Sequence, residues 1–206
     1  MTVATLIVAA LLQTAPAARI GSILGEADLI RPTDTEVARV GDIVLAGDRV
    51  HTLKGASLAL SMESGVIVQL RSDTSLEMKI VNGEPVALLT EGSVNVKSSG
   101  KPARIETKYG QIIGTEDFQE FDVSYTGDVV QVLLIGGGVR AEVSDSSKIV
   151  FKNAYDSGAR VYEAGSISPT APRATGGTTV IVYPRVVTPS LSGRRTLPAT
   201  APVSPK

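Results

Sequence analysis

Ser57-Leu-Ala-Leu-Ser-Met62, Val66-Ile-Val-Gln-Leu-Arg71 and Leu76-Glu-Met-Lys-Ile80 follow one another along residues 57–80, and in each the apolar side chains recur at every second position. Leu58, Leu60 and Met62 point one way while Ser57, Ala59 and Ser61 point the other. Val66, Val68 and Leu70 are set against Gln69 and Arg71, and Leu76, Met78 and Ile80 against Glu77 and Lys79. A period of two belongs to a strand with one buried face, because successive side chains leave a pleated backbone on opposite sides. The stretch therefore predicts three short strands, each with one wet face.

Outward from there, turn chemistry sets further strands. Asn82-Gly83 lies between Ile80-Val81 and Val86-Ala-Leu-Leu89, and Asn-Gly tolerates the positive φ angles of a tight hairpin. Thr126-Gly127-Asp128 likewise separates Phe121-Asp-Val-Ser-Tyr125 from Val129-Val-Gln-Val-Leu-Leu-Ile135. The second of these runs is apolar at nearly every position, which predicts a strand deep in the core or covered by another layer. A glycine opening a short alternating strand recurs at Gly65, Gly92 and Gly138, at uneven spacing that suits irregular stacked rungs rather than a fixed repeat. No run of ten or more residues after the N-terminal segment has helical periodicity. The expected class is all-β with many short strands.

Composition agrees. Of 206 residues 43% are hydrophobic but only 4% aromatic, with no Trp, so the core is built from Val, Ile and Leu, whose branched members suit a pleated surface. The length suits one domain with flanking segments. With no cysteine, disulfides, thiolate metal sites, a cysteine nucleophile and a lipid-modified N-terminal cysteine are all excluded.

Three segments are expected. Val3 to Leu12 is an apolar stretch followed by small residues at Ala15, Ala17 and Ala18, which reads as a signal peptide over 1–18 cleaved after Ala17 or Ala18. Residues 19–167 form the β-domain. Residues 168–206 hold seven of the eleven prolines and read as a disordered basic tail, with one strand signal, Thr178-Thr-Val-Ile-Val-Tyr183, closed by Pro184 and docking back on the body. All 21 acidic residues lie at or before Glu163, giving the body a net charge of −6 and the last 43 residues +5.

The search for chemistry returns bland readings. His51 is the only histidine, so no His cluster or triad can form, and it reads as an exposed strand-end residue. Glu116, Asp117, Glu120 and Asp122 lack an Asp-x-Asp-x-Asp-Gly loop and read as a polar rim, with Asp117 and Asp122 expected on the face opposite Glu116 and Glu120. Gly136-Gly137-Gly138 is followed by a strand pattern instead of a helix, so it reads as a bulge or a tight crossing between β layers rather than a phosphate loop. The acidic body and a tail without interleaved aromatics speak against nucleic acid. No catalytic, cofactor-binding or metal residue is assigned, and an enzyme is not expected.

Val40-Gly-Asp-Ile-Val-Leu-Ala-Gly-Asp-Arg-Val-His-Thr52, Glu91-Gly-Ser-Val-Asn-Val96 and Ile105-Glu-Thr-Lys-Tyr-Gly-Gln-Ile-Ile-Gly-Thr-Glu-Asp-Phe118 together resemble the FecR domain, an extracytoplasmic β-domain named after the ferric-citrate transport regulator. The resemblance runs from about Ile20 to Val143. Its most specific points are Gly41-Asp42, Gly47-Asp48, Ser64-Gly65-Val66, Glu91-Gly92, Thr107, Tyr109-Gly110 and Gly114-Thr115, all turn formers and strand starts. It implies an elongated, twisted domain of short strands, solenoid-like or sandwich-like, with no catalytic residues. It also implies a free-standing exported member, since the anti-sigma segment, membrane helix and second signalling domain of the regulators have no counterpart here. The expected function is a periplasmic or cell-surface module that binds an envelope protein or polymer and serves signalling or assembly, the tail acting as tether. The alternative is a subunit that self-assembles through exposed strand edges.

Overall fold

The two-residue period is realised as sixteen strands in the computed structural model, which describes residues 16–144, 146–153 and 179–186. In chain order they are β1 (Pro16–Leu24), β2 (Ala27–Ile30), β3 (Thr35–Val37), β4 (Ile43–Leu45), β5 (Arg49–Thr52) and β6 (Ser57–Ser61). Then come β7 (Val66–Leu70), β8 (Thr74–Val81), β9 (Glu84–Glu91), β10 (Ser93–Ser99) and β11 (Arg104–Thr107). The last are β12 (Gly110–Gly114), β13 (Phe118–Thr126), β14 (Val129–Val143), β15 (Ile149–Asn153) and β16 (Thr179–Val186). The only helical turn among the described residues is a 3-10 turn at Ser146–Lys148.

The strands form one curled mixed sheet, a half-barrel with two arms. One arm runs β4-β1-β6-β7-β10-β13-β14 and the other β3-β2-β5-β8-β9-β11-β12-β14. The joint is β14, whose residues 129–136 pair with β13 and whose residues 139–143 pair with β12. The arms face each other, with β1 over β8 and β9, and β4 and β7 over β8. Pairings are antiparallel except β9 with β11 and β14 with β15. Between the arms lies one continuous core, including Leu29, Val50, Leu58, Leu70, Leu76, Met78, Leu89, Phe121, Val132 and Phe151.

The alternation read along residues 57–80 matches the burial: Leu58, Leu60, Met62, Val66, Val68, Leu70, Leu76 and Met78 are buried, and Ile80 is partly buried against the core. Asn82 and Gly83 have φ of 54° and 83° and join Val81 to Glu84 in the predicted hairpin. Gly127-Asp128 joins Thr126 to Val129, with Gly127 at φ 60° in the first central position. In the doubly apolar run the even positions Val130, Val132 and Leu134 are fully buried, whereas Val129, Leu133 and Ile135 are half-buried. That strand is thus central in the sheet but is covered completely on one face only.

Arg39-Val-Gly-Asp42 and Leu45-Ala-Gly-Asp48 build the same turn twice. In each, the Asp N–H donates to the carbonyl three residues back, at 3.1 Å, and the Asp carboxylate accepts that residue's N–H, at 2.8 Å. The third residue, Gly41 at φ 96° or Gly47 at 92°, takes the left-handed conformation such a turn needs. The Gly-Asp pairs are therefore structural, as the sequence suggests.

Gly136-Gly137-Gly138 is the corner where β14 leaves one arm for the other. Register slips there, and Ile135 is left out of the ladder between Phe121–Leu134 and Glu120–Gly136. A Cβ on Gly137 would lie 2.5 Å from the Phe118 carbonyl and one on Gly138 2.5 Å from Thr115 Oγ1, so the crossing is too tight for side chains.

Three details differ from expectation. The first strand takes in Pro16, Ala17 and Ala18, residues that the sequence assigns to the leader; Pro16 and Ala18 pair with β4, and both alanines are buried. His51 is half-buried inside β5, paired with Asp28 on one side and Ser75 on the other, because β5 is flanked on both sides by β2 and β8. The C-terminal strand does dock on the body, along β14, but runs through Pro184 to Val186. Pro184 falls between the pairs Val139–Tyr183 and Gly137–Val186, in a bulge where the ladder needs no donor from it. Residues 1–15 of the leader predicted over 1–18, residues 154–167 of the predicted β-domain and the rest of the tail lie outside the described residues.

Candidate functional site

The path of the chain decides where the half-barrel can open. At one end, the base, it crosses between arms at 25–26, 53–56, 71–73 and Gly92, and the β11–β12 and β13–β14 hairpins also turn there. At the other end, the mouth, β6–β7 and β8–β9 turn back within their own arms, and crossings occur to either side, at 46–48, 100–103 and 115–117. A crossing closes the gap between arms; two opposed hairpins leave it open unless their side chains bridge it.

At the base they do. Asp128, on the β13–β14 hairpin, accepts from Lys148 at 2.5 Å, from Lys108 at 3.0 Å and from the Tyr109 hydroxyl. The Lys108 N–H donates to Tyr125 Oη at 3.1 Å, and the Tyr125 hydroxyl donates to the Leu89 carbonyl at 3.3 Å. Lys108 Nζ also sits 4.8 Å from the Tyr109 ring centre and 5.6 Å from that of Tyr125. Lys148, Tyr109 and Lys108 hold the Asp128 carboxyl well below the usual carboxylate range, and contact with Tyr109 and Asp128 raises the Lys108 ammonium well above the usual lysine range.

A depressed carboxyl contributes stability above its unfolded pKa, about 3.9, and loses it as pH falls toward its folded value. Asp128→Asn is therefore expected to destabilise the domain between pH 5 and 9, with the difference from the parent shrinking below about pH 4. Urea melts at each pH measure it; a difference that does not vary with pH would show that the carboxylate charge contributes nothing.

Among the described residues no such bridging occurs at the mouth. An opening of about 930 Å³ lies there, within the range of ligand pockets. Its apolar lining comes from Met62, Val66 and Ile80, which border the core, and from Val86 and Ile113, which stand on the outer face of their arm. The two lips each carry an acid, Glu63 on the β6–β7 turn and Glu84 on the β8–β9 hairpin. Lys101, Arg104 and Arg140 form a basic wall, with Arg104 on the strand next to the Glu84 hairpin. Arg140 pairs with Glu142 at 3.2 Å, whereas the side chains of Lys101, Arg104, Glu63 and Glu84 have no hydrogen bond or ion pair among the described residues.

The basic wall is held in place. The Lys101 carbonyl accepts from Ser98 Oγ and from Gln119 Nε2, the latter at 3.3 Å. Gly100 N–H donates to the Asp117 carbonyl at 2.6 Å and Gly114 N–H to that of Ala103 at 2.9 Å. Gln119 is fully buried, and its carboxamide fills the place a Cβ on Gly114 would take, so a side chain there would displace it. Its Oε1 finds no donor among the described residues.

The four carboxylates singled out in the sequence do not converge. Asp117 is exposed, and Glu116 lies beside Gly138. Glu120 and Asp122 share a face, contrary to the expected split, since they are two residues apart on an unbroken β13; the extra residue of the bulge is in β14. Both accept from Asn95 Nδ2, at 3.3 and 2.8 Å. Lys97 pairs with Glu120 at 3.2 Å and Arg71 with Asp122 at 2.6 Å, making a polar ladder on the outer face of the β7-β10-β13 arm. Among the described residues no three His, Cys, Asp or Glu side chains are placed to hold a metal ion, and no helix is long and apolar enough to cross a membrane.

The sequence signalled the turns that form the lips, Ser64-Gly65 and Asn82-Gly83, but not that they face each other. No protein-family model matches this chain, and no curated protein matches it either.

Proposed function

We propose that this protein is a non-enzymatic binding module of the cell envelope, exported and FecR-like, which holds an envelope partner in the groove at its mouth. One observation carries the reading: among the described residues, the opening at the mouth is bordered by Met62, Val66 and Ile80 and by Glu63, Glu84, Lys101 and Arg104, charges of both signs that make no hydrogen bond or ion pair there. Charges of both signs around a partly apolar opening offer a partner electrostatic complementarity beside surface it can bury. The FecR resemblance supports the compartment and the absence of catalytic residues.

The test is crosslinking and recovery from the native cell envelope, with the parent chain and with a Ser64→Trp, Thr115→Trp variant that fills the groove from two exposed or half-buried wall positions. A partner captured by the parent and lost by the filled variant, with unchanged circular dichroism, is the expected result. Equal capture by both would overturn the groove as the binding site. Any test of the tail as tether should cut after Val186, since a cut after Ile167 would also remove β16 from the body.

A second reading, self-assembly, draws on the edges where the arms begin. The outermost strands there, β3 and β4, are three residues each, and Val37, Val40 and Ile43 stand 65%, 63% and 42% exposed along them and the segment between. Recovery of only the protein itself in the same experiment, with association lost in Ile43→Lys, would favour this reading.

A further inference from the structure

We propose that Asn82-Gly83, at the tip of the β8–β9 hairpin, is a self-modifying site, where the Asn82 carboxamide is converted to aspartate and isoaspartate while the domain stays folded. The backbone nitrogen of Gly83, on losing its proton to solvent, attacks Asn82 Cγ. The new C–N bond closes a cyclic imide as the side-chain nitrogen leaves as ammonia. Water then opens the ring at either carbonyl. One product keeps the normal backbone and gains a carboxylate; the other runs the main chain through the side-chain carbon and so lengthens it. Either way water is consumed and ammonia released, with no other reactant. The attack is fastest where the next residue lacks a Cβ, and Asn82-Gly83 is the one Asn-Gly pair in the 206 residues.

Both reacting groups are free. Asn82 and Gly83 are exposed, and neither the Asn82 carboxamide nor the Gly83 N–H has a hydrogen bond among the described residues. A Cβ built on Gly83 would meet nothing within 4 Å, so water has access. Closing the ring means turning Asn82 about its Cα–C bond, out of the left-handed pair at φ 54° and 83°, and so parting Val81 from Glu84. That is the fraying of a ribbon end. β8 is paired with β5 only as far as Glu77, Met78 is bonded to Gly47 and Asp48, and β9 is paired with β11 only at Ala87 and Leu88. Residues 79–86 therefore pair with each other and with no third strand, and a two-stranded ribbon is marginal by itself. Its tip opens at little cost, whereas a central strand opens only with the whole domain. Asn95 gives the contrast: it is 8% exposed in β10 between β7 and β13, and its Nδ2 donates to Glu120 and Asp122. The β-branched Val96 that follows it obstructs attack as well. Conversion at Asn82 adds a carboxylate to the lip that carries Glu84, and the lengthened backbone of isoaspartate no longer closes a two-residue turn.

The test holds the full chain folded at mildly alkaline pH and physiological temperature for weeks, beside the same chain unfolded in guanidinium chloride. Peptide mass spectrometry follows each asparagine, and a protein isoaspartyl methyltransferase labels isoaspartate. Conversion at Asn82 is expected to be slower in the folded chain than in the unfolded one. The ratio of conversion at Asn82 to that at Asn95 is expected to be about tenfold or more higher in the folded chain, because folding protects Asn95 far better than the tip. Asn82→Asp is expected to fold like the parent, since Asp shares the tolerance of Asn for the left-handed conformation. It is also expected to gather the label much more slowly, which traces the parent's label to the carboxamide. Conversion at Asn82 confined to the unfolded chain would mean that the tip stays shut and would overturn the proposal. A ratio no higher in the folded chain than in the unfolded one would also overturn it, since the route would then be unfolding of the whole domain.

Discussion

Gly92→Ala is expected to destabilise the domain by about 3 kcal/mol or more, several times the cost of an ordinary surface change. Gly92 is the whole of the crossing between β9 and β10, at φ 82°, and it is stacked on the neighbouring crossing at 71–73. A Cβ there would stand 2.5 Å from the Asp73 carbonyl oxygen and 2.6 Å from Thr74 Cα, both backbone atoms, and would collide with Thr74 Oγ1 as well. Thr74 has no room to give way. Its Oγ1 accepts the Ser93 N–H at 3.0 Å, and its own N–H donates at 3.0 Å to Thr52 Oγ1, whose hydroxyl is bonded in turn to the Arg71 carbonyl at 2.5 Å. Relief of the clash therefore means parting the Gly92 crossing from the one at 71–73, which Thr74 ties to Ser93 while Thr52 anchors the 71–74 segment from its other side.

Gly55→Ala separates the two contributions. Gly55 has nearly the same φ, 77°, but a Cβ there would meet nothing within 4 Å, so only the left-handed backbone cost of about 1–2 kcal/mol applies. Urea denaturation of the parent and both variants, at matched m, reads the difference directly. Equal shifts in midpoint would mean that the crossings part easily and that the stacking of rungs at the base is not a determinant of stability.

What the sequence disclosed is what depends on neighbours in the chain. Alternation at Leu58, Leu60, Val66, Val68 and Leu70 is a local consequence of the pleat, and Asn82-Gly83 makes its turn whatever lies above it. The triglycine could be read as a tight crossing because three missing side chains in a strand pattern imply something close by. Other features depend on partners distant in sequence. Nothing near His51 states that its strand is flanked on both sides, and Ile80, read as inward, reaches the rim of the groove because β8 runs on to the mouth. The split expected of Glu120 and Asp122 fails on local grounds, since two residues apart on a regular strand means one face.

The groove was the least legible element. Its residues come from β1, the β6–β7 turn, the β8–β9 hairpin, the β10–β11 crossing, β11, β12 and β14, and no window of sequence holds more than a few of them. Lys101 and Arg104 read as ordinary solvated charges, and nothing near them in the sequence states that they border the opening at the mouth. Lys79 with Glu106, at 3.4 Å, and Arg49 with Glu77, at 3.5 Å, show how the same residue types are satisfied on the sheet face. Choosing between solenoid and sandwich likewise required the pairing of strands: each arm grows along one direction as the chain passes back and forth, so the rungs of the one description become the two layers of the other.

The second large effect is expected at Phe121. Phe118 and Phe121 stand three residues apart on β13 and so project to opposite faces; the first is 71% exposed and the second has no exposed surface. Phe121 pairs across to Val96 on one side and Leu134 on the other, both fully buried, in the arm that faces β8 and β9. With so few aromatic residues in the core, the neighbouring Val and Leu side chains are too short and too stiff at χ1 to close the space its ring would leave. Phe121→Ala is therefore expected to cost about 3–5 kcal/mol, the sum of lost burial and an unfilled cavity, while Phe118→Ala should stay within about 0.5 kcal/mol of the parent. Calorimetry of the two variants decides the matter. Similar losses for both would mean that the inner and outer faces of β13 are not distinguished in solution, and with that the facing of the two arms, on which the groove depends, would fail.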